Sequence, residues 1–305
     1  MSATTQTAAP HRADAAPKPG PSFTGAVRGE LGKLRRQRAT LGMLVGGGVL
    51  YAVLTALILS SGNQRVAFEH APQAFVAQWL DIQLALFDTG SGILLLLVSA
   101  RLVGMEYSSG TIRILLARGL GRLQLLAAKW VALAIAGLGL LVAFAAVAAV
   151  ALASAAFAWQ GSLRGLTTLP AQTFHQLWVT CLIALLSMAV SILLGTAAAV
   201  VGRSLAFGIG AALAFFPADN FGTIVLGLIA SLTHQRVWAD ATAYLLGPNL
   251  NAVAGKLITA HQVRPAFAVP LVQMDATRVL AVIGAWAAAL LILQVALIAR
   301  RDVLE

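Results

Sequence analysis

The chain has 305 residues, of which 59% are hydrophobic and only 10% are charged, and its mean hydropathy is +0.85. Soluble domains average about 25% charged residues, so the composition excludes an ordinary soluble protein and indicates a membrane protein. The net charge of +10 does not indicate a nucleic-acid partner, because the basic residues lie beside apolar stretches, as in membrane proteins. The single cysteine, Cys181, excludes an internal disulfide and a cysteine metal cluster.

The amino-terminal segment lacks the apolar core of a secretory signal. Residues 1–25 are rich in Ala, Pro, Thr and Gly, which predicts a disordered cytoplasmic tail. Residues 26–305 are predicted to form one transmembrane domain. Within residues 26–40 apolar and basic positions recur at helical spacing, so we expect an amphipathic helix at the lipid headgroups. Its charged candidate residues are Glu30, Lys33, Arg35 and Arg36.

Six segments are apolar and long enough to cross a bilayer, which requires about 20 residues. The chain is therefore predicted to be an all-α membrane protein with six transmembrane helices. Lys and Arg are concentrated in the tail, after the second span and around the fourth and sixth, so both termini are placed in the cytoplasm. The spans are predicted at residues 41–60, 82–103, 131–157 and 177–201, from residue 204 onward, and at residues 279–299.

The fifth span is long for one crossing and is interrupted by Pro217. Proline removes a helix hydrogen bond, so two architectures fit: one kinked helix, or a crossing that ends near Pro217 and is followed by a short re-entrant hairpin. We favour the hairpin, because the apolar stretch after the proline is too short to cross alone. Residues 234–276 then form an external polar segment. Asp88 of the second span, with Asp219 and Asn220 of the fifth, are candidates for a translocation path, since an intramembrane carboxylate is costly unless it faces protein or water.

Residues 104–130 carry four positive charges and one negative charge between two apolar spans. Their apolar residues recur at steps of three and four, which predicts an amphipathic helix. It has too many charges to span the membrane, so we expect it to lie beneath the bilayer, where it can receive a push from a soluble partner. In that role Gly110 permits a sharp turn, Thr111 can cap the helix, and Glu106 can pair with Arg101 or with a partner's basic residue.

This region resembles the cytoplasmic motif of ABC-2-type permeases, the membrane subunits of a class of ATP-binding-cassette exporters. The opening helix and the closing "ARRDVLE" are also similar to that family. The chain departs from the family pattern at "RGLGR", where Pro-Xaa-Ser-Arg often occurs. The residues that carry the resemblance, and to which it assigns contact with an ATPase subunit, are Glu106, Gly110, Thr111, Arg113, Arg118, Arg122 and Lys129.

The resemblance implies partners as well as a fold. The chain has no Gly-x-x-x-x-Gly-Lys-Ser/Thr loop, so ATP and Mg would be bound by two copies of a separate ATPase subunit. Six spans form half of such an exporter, which implies a second permease subunit, identical or related, in the plasma membrane. We expect no catalytic residue and no metal site in this chain, and an amphipathic or hydrophobic substrate.

Two other functions were weighed. An ion-coupled secondary transporter would use Asp219 and Asp88 beside the interrupted fifth span. It leaves the amphipathic helix of residues 104–130 unexplained. An intramembrane hydrolase is disfavoured, because no histidine falls within a predicted span.

Overall fold

The protein is described from a computed structural model, which defines residues 22–112, 114, 119–163, 166, 171–258, 263, 265 and 267–300. Six helices in this part of the chain are long and apolar enough to span a membrane, which confirms the predicted number of spans. In the numbering given next, these are α2, α4, α5, α6, α7 and α10. The helices are α1 (Phe23–Arg36), α2 (Arg38–Ser60), α3 (Asn63–His70), α4 (Pro72–Ser108), α5 (Arg122–Gln160), α6 (Ala171–Gly202), α7 (Leu205–Thr233), α8 (Arg236–Ala241), α9 (Leu246–Leu257) and α10 (Ala276–Arg300).

Helix α4 is the central element, and its most extensive contact is with α6. The two helices approach closely because small residues line the contact. A Cβ atom on Gly195 of α6 would lie only 2.7 Å from the carbonyl oxygen of Leu96 on α4. Such close approach lets dispersion forces stabilise helix pairs in lipid, where the hydrophobic effect gives no drive. The outer faces of α2 and α7 are largely exposed and apolar, as expected for surfaces that contact lipid.

The predicted re-entrant hairpin after Pro217 is wrong. Helix α7 runs without interruption from Leu205 to Thr233, with Pro217 in its interior. A break at this depth would leave several backbone groups without hydrogen bonds in hydrocarbon, whereas one proline removes a single bond. The 29 residues extend about 43 Å, so the helix is longer than the hydrocarbon layer of about 30 Å.

The predicted amphipathic helix does not extend over the whole of residues 104–130. Thr111, Ile112 and Ile114 within this range are helical, but they are separated from the helices on either side. Helix α4 continues to Ser108, and α5 already begins at Arg122. At 37 and 39 residues, these helices extend about 55–60 Å and project beyond the bilayer. The charges of residues 104–108 and 122–130 therefore lie on the ends of two long helices, and only residues 109–121 connect them.

The predicted polar segment 234–276 is packed against the bundle. It contains α8, one turn of 3-10 helix (Thr242–Tyr244) and α9. Helix α9 buries Leu246 and Val253 in the main core and contacts α10, α7 and α6. The indole Nε1 of Trp286 on α10 donates to the backbone oxygen of Tyr244 at 2.8 Å, which fixes the segment against the last span.

Candidate functional site

Four charged side chains meet where α4 ends and α5 begins. Lys33 of α1 lies 2.6 Å from Oε1 of Glu30 and 2.5 Å from Oε1 of Glu106 on α4. Lys129 of α5 lies 2.9 Å from Oε2 of Glu30 and 2.7 Å from Oε1 of Glu106. Each lysine thus bridges both glutamates, and we call these four residues the charge cluster.

The charge cluster is buried and electrically balanced. Glu30, Lys129 and Glu106 expose 2, 3 and 5% of their surface, while the side chain of Lys33 exposes 34%. Two carboxylates and two ammonium groups sum to zero, which is how buried charges are tolerated. Burial acts to lower the pKa of Lys33, but the attraction and hydrogen bonds of Glu106 and Glu30 outweigh it, so its pKa is raised above 10.5.

Local helix geometry brings these residues together. Glu30 and Lys33 are one turn apart on α1, so they share one face with the buried Leu34. That face packs on α5, close to the last turn of α4. Glu106 lies in the last turn of α4, just before the connecting residues 109–121. The cluster therefore fixes α1 to both helices that flank this connection.

The structure changes the expected partner of Glu106. One of its carboxylate oxygens accepts from both Lys33 and Lys129 within the chain, rather than from Arg101 or an external residue. The turn at Gly110 is confirmed by its φ of +68°, a conformation that glycine adopts without strain. The hydroxyl of Thr111 lies 3.0 Å from that of Ser109 in the turn that follows α4.

The remaining basic candidate residues lie outside the charge cluster. Arg35 and Arg36 are exposed on α1, in its last turn. Arg122 begins α5, and its Nη1 donates to the backbone oxygen of Ile298 on α10 at 3.4 Å. Arg113 and Arg118 lie outside the described residues.

Asp219 and Asn220 connect α7 to α9. Asp219 Oδ2 accepts from the backbone N–H of Gly247 at 2.5 Å, at the amino-terminal end of α9, where a negative charge is favoured. Asn220 Oδ1 accepts from Nδ2 of Asn251 at 2.9 Å, and Asn251 also donates to the backbone oxygen of Ala268. Both side chains have structural partners, so they hold residues 234–276 in place.

Asp88 lies on α4, where it faces Ser187 of α6. The hydroxyl of Ser187 is its side-chain partner, and its Oδ1 is buried without a hydrogen bond in the described part of the chain. The structure does not join Asp88 to Asp219 by any contact between the two carboxylates that it describes. An ion-coupled transporter would need Asp88 and Asp219 to act together, but Asp88 contacts Ser187 and Asp219 contacts Gly247.

One polar network beside the charge cluster was not predicted. Trp130 Nε1 lies 3.4 Å from Thr196 Oγ1 and 3.3 Å from Gln294 Oε1, and Thr196 donates to the same oxygen at 2.6 Å. Gln294 Nε2 donates to backbone oxygens of α6 and α10. The network joins α5, α6 and α10. A single glutamine in an otherwise apolar span was the available signal, since a buried amide in a membrane requires partners.

The described residues contain no group of three His, Cys, Asp or Glu side chains placed to hold a metal ion. The arrangement connects helices rather than forming a binding site. The charge cluster links Lys129 of α5 to α1 and α4, and the polar network links Trp130 of α5 to α6 and α10. The fold is thus that of a multi-pass membrane protein. Its helices α4 and α5 project beyond the bilayer, and α1 binds both of them through the charge cluster.

A family model described as ABC-2 family transporter protein matches residues 26–219. The match covers more than half of the chain, from α1 to the middle of α7, and includes the whole charge cluster. The chain therefore belongs to the ABC-2 transporter family and is a permease-type membrane protein of ABC transporters. None of the curated proteins gives a significant match to it.

Proposed function

We propose that this chain is the membrane-spanning subunit of an ABC exporter, which moves an amphipathic or hydrophobic substrate across the plasma membrane with ATP hydrolysed by a separate subunit. Both termini and residues 109–121 face the cytoplasm in this proposal, because Lys and Arg are concentrated at that end. The exporter contains two such permease subunits, identical or related, and two ATPase subunits, which bind the ATP and Mg.

The observation that carries the proposal is the charge cluster. Residues 109–121 are the short connection between two helices that project beyond the bilayer, so they form an accessible contact for a soluble ATPase. The cluster lies at the base of that connection and joins α4, α5 and α1 through buried ion pairs. A displacement of residues 109–121 is therefore passed to two spans at once instead of being absorbed by a flexible joint.

The proposal assigns two roles to the charged residues. Arg113 and Arg118 contact the ATPase subunit, whose acidic side chains or backbone oxygens suit a guanidinium group. Glu106, Lys129, Glu30 and Lys33 transmit the movement within the chain. Arg122, Arg35 and Arg36 remain at the same end, where they contact the ATPase or anionic lipid headgroups.

The two roles are separable by experiment. Affinity purification of the full chain from its native membrane should recover a stoichiometric protein with ATPase activity. Changing Arg113 and Arg118 together to Ala should reduce that recovery. Changing Lys129 to Met should leave the amount of ATPase recovered per folded chain unchanged but reduce transport-linked ATP hydrolysis, because the cluster is inside the chain. The matched control is Arg65→Ala, which alters an exposed cation of α3 far from residues 109–121 along the chain.

The proposal fails if the chain is recovered as an ordered, folded protein with no ATPase subunit. It also fails if the Arg113 and Arg118 variant recovers as much ATPase as the Arg65 control does. In the first case the ion-coupled hypothesis becomes the one to pursue. It would then have to rest on Asp88 alone, because Asp219 is bonded to the backbone of α9.

A further inference from the structure

A line of polar side chains runs along the contact between α4 and α6, within the bundle. In the second and third turns of α4, Gln176 Nε2 donates to the backbone oxygen of Ala77 at 3.1 Å and to Asp81 Oδ1 at 3.2 Å. One turn further along α6 comes Thr180, and two turns beyond that comes Ser187, which faces Asp88. We call Asp81, Asp88 and Ser91 of α4 with Gln176, Thr180 and Ser187 of α6 the polar seam.

The two helices run parallel with constant register, which places these residues at matching depths. Gln176 contacts Asp81 and Ala77, Ser187 contacts Asp88, and Gly195 lies against Leu96. Residues of α6 that face α4 recur at steps of three and four, as on one helix face. The polar seam therefore extends from the third turn of α4 to the middle of that helix, over roughly 15 Å between residues 81 and 91.

Three oxygen atoms of the polar seam are buried without a hydrogen-bond partner among the described residues: Asp88 Oδ1, Ser91 Oγ and Thr180 Oγ1. Ser91 is completely buried. Buried polar atoms that have no protein partner are normally bonded by ordered water, and a seam with hydroxyl and carboxyl groups along it supplies the partners that such water needs. These three atoms are therefore where ordered water would bind between α4 and α6.

The contact between α4 and α6 closes beyond Ser91. The backbones of the two helices touch at Gly195, where a Cβ atom would approach the oxygen of Leu96 to 2.7 Å. Ser99 on the far side bonds to the backbone oxygen of Leu96 at 3.1 Å and is fully buried. Water that binds at Asp88 would therefore enter from the end of the bundle where α4 begins.

No positively charged side chain in the described part of the chain contacts Asp88, whose side-chain partner is Ser187. On α6 it faces a hydroxyl, and the one titratable imidazole of that helix, His175, is 12 residues away, or about 18 Å. Helix α2 carries no charged residue after Arg38, and α5 none after Lys129, which belongs to the charge cluster. Helix α3 also packs on α4, but its Arg65, Glu69 and His70 precede Pro72, which lies about 24 Å along α4 from Asp88. On α7 the one charged group is Asp219, which is bonded to α9. On α4 itself the nearest charged residues are Asp81, at the outer start of the seam, and Arg101, about 20 Å away.

We propose that Asp88, together with Ser91, Thr180 and Ser187, forms a proton-binding site that exchanges protons with water at the end of the bundle where α4 begins. A carboxylate that no positive charge balances is unfavourable within the membrane, and binding of a proton removes this cost. The proton comes from water in the polar seam and returns to it, with no other reactant. Because the seam is closed beyond Ser91, the site binds protons but does not conduct them across the membrane. The site requires no partner, so it is independent of the proposed ATPase coupling.

Dicyclohexylcarbodiimide tests whether Asp88 holds a proton. This apolar reagent adds to a protonated carboxyl group: the proton goes to one carbodiimide nitrogen, a carboxyl oxygen bonds to the central carbon, and rearrangement gives an N-acylurea with no leaving group. The full chain in lipid nanodiscs is treated between pH about 6 and about 9, and peptides are mapped by mass spectrometry. We expect an adduct on Asp88 that decreases as pH rises and is lost in Asp88→Asn. No adduct on Asp88 at any pH, or one that is independent of pH, would overturn the proposal.

Substituted cysteines test the water route. The natural Cys181 is first replaced by alanine, and Thr180→Cys is compared with Ser99→Cys, a matched small polar residue beyond the closed point. We expect a small, water-soluble methanethiosulfonate to label the cysteine at position 180 and not the one at position 99. Equal labelling of both, or labelling of neither, would show that the seam is not a water route open at one end and would overturn the proposal. A monodisperse elution profile confirms that each variant is folded.

Discussion

Replacing Glu106 by glutamine should destabilise the protein strongly, because glutamine keeps the shape of the side chain but removes one of two negative charges that balance Lys33 and Lys129. Removing one partner of a buried ion pair costs about 3–5 kcal/mol. Since the side chain of Lys33 is 34% exposed, it can turn partly to water, and this screening reduces the expected cost to about 2–4 kcal/mol. For a chain of this size we expect an apparent Tm lower by about 4–8 °C.

The assay is thermal unfolding of the purified full chain in one detergent, with Glu69→Gln as the matched control. Glu69 pairs with Arg65 at 2.7 Å, but the two side chains are 37 and 61% exposed. An exposed pair contributes less than about 1 kcal/mol, so its loss should lower the apparent Tm by at most about 2 °C. If Glu106→Gln shifts the apparent Tm no more than Glu69→Gln does, the charge cluster does not stabilise the junction of α1, α4 and α5.

A double-mutant cycle separates charge balance from packing. Lys129→Met alone leaves two carboxylates with one lysine, and it should also destabilise. Combining it with Glu106→Gln leaves Glu30 paired with Lys33, which is neutral again. The double variant should therefore be more stable than the sum of the single effects by about 1–3 kcal/mol. Strict additivity would contradict coupling between Glu106 and Lys129.

Three further outcomes follow from single residues. The raised pKa of Lys33 contributes stability that is complete below its unfolded pKa of about 10.5 and is lost as pH rises through the folded value, so an alkaline titration of apparent Tm should show a decline that Lys33→Met lacks. Gly104→Ala should destabilise the protein by about 1–3 kcal/mol in a thermal assay, because the added Cβ atom would lie 2.8 Å from the Cα of Leu205. An unchanged apparent Tm would mean that α4 and α7 are not in backbone contact. Asp219→Ala should speed limited proteolysis within residues 234–276, because the N–H of Gly247 loses its acceptor, and an unaltered cleavage rate would argue against that tie.

The spans were predictable because a bilayer imposes a length of apolar sequence that few other structures need. The ends of the helices were not. Hydropathy detects the part of a helix in hydrocarbon, so residues 72–81 and 104–108 of α4, which are more polar, were left outside the predicted second span although the helix continues through them. The same bias gave too much weight to Pro217. A lone proline is decisive in an exposed helix, but in lipid the unbroken helix satisfies more backbone groups.

The members of the charge cluster were each identifiable, and their partnership was not. Glu30 and Lys33 are one turn apart, which is a local signal. Glu106 and Lys129 lie 73 and 99 residues from their partners on α1, and no periodicity or spacing links such distant positions. Family resemblance pointed to Glu106 and Lys129 as residues of the cytoplasmic motif. Only the packing of α1 on α5 shows that Glu106 binds Lys33, that Lys129 binds Glu30, and that Glu106 and Lys129 bind each other.

Adjacent residues of α5 are held by different neighbours. Lys129 bonds to α1 and α4, while Trp130, about 100° further round the helix, bonds to α6 and α10. Rotation of α5 about its own axis would break one set of contacts or the other, and so would sliding along that axis. The movement that preserves both sets is a tilt of α1, α4, α5, α6 and α10 together. These five helices would therefore move as one rigid unit relative to the rest of the bundle.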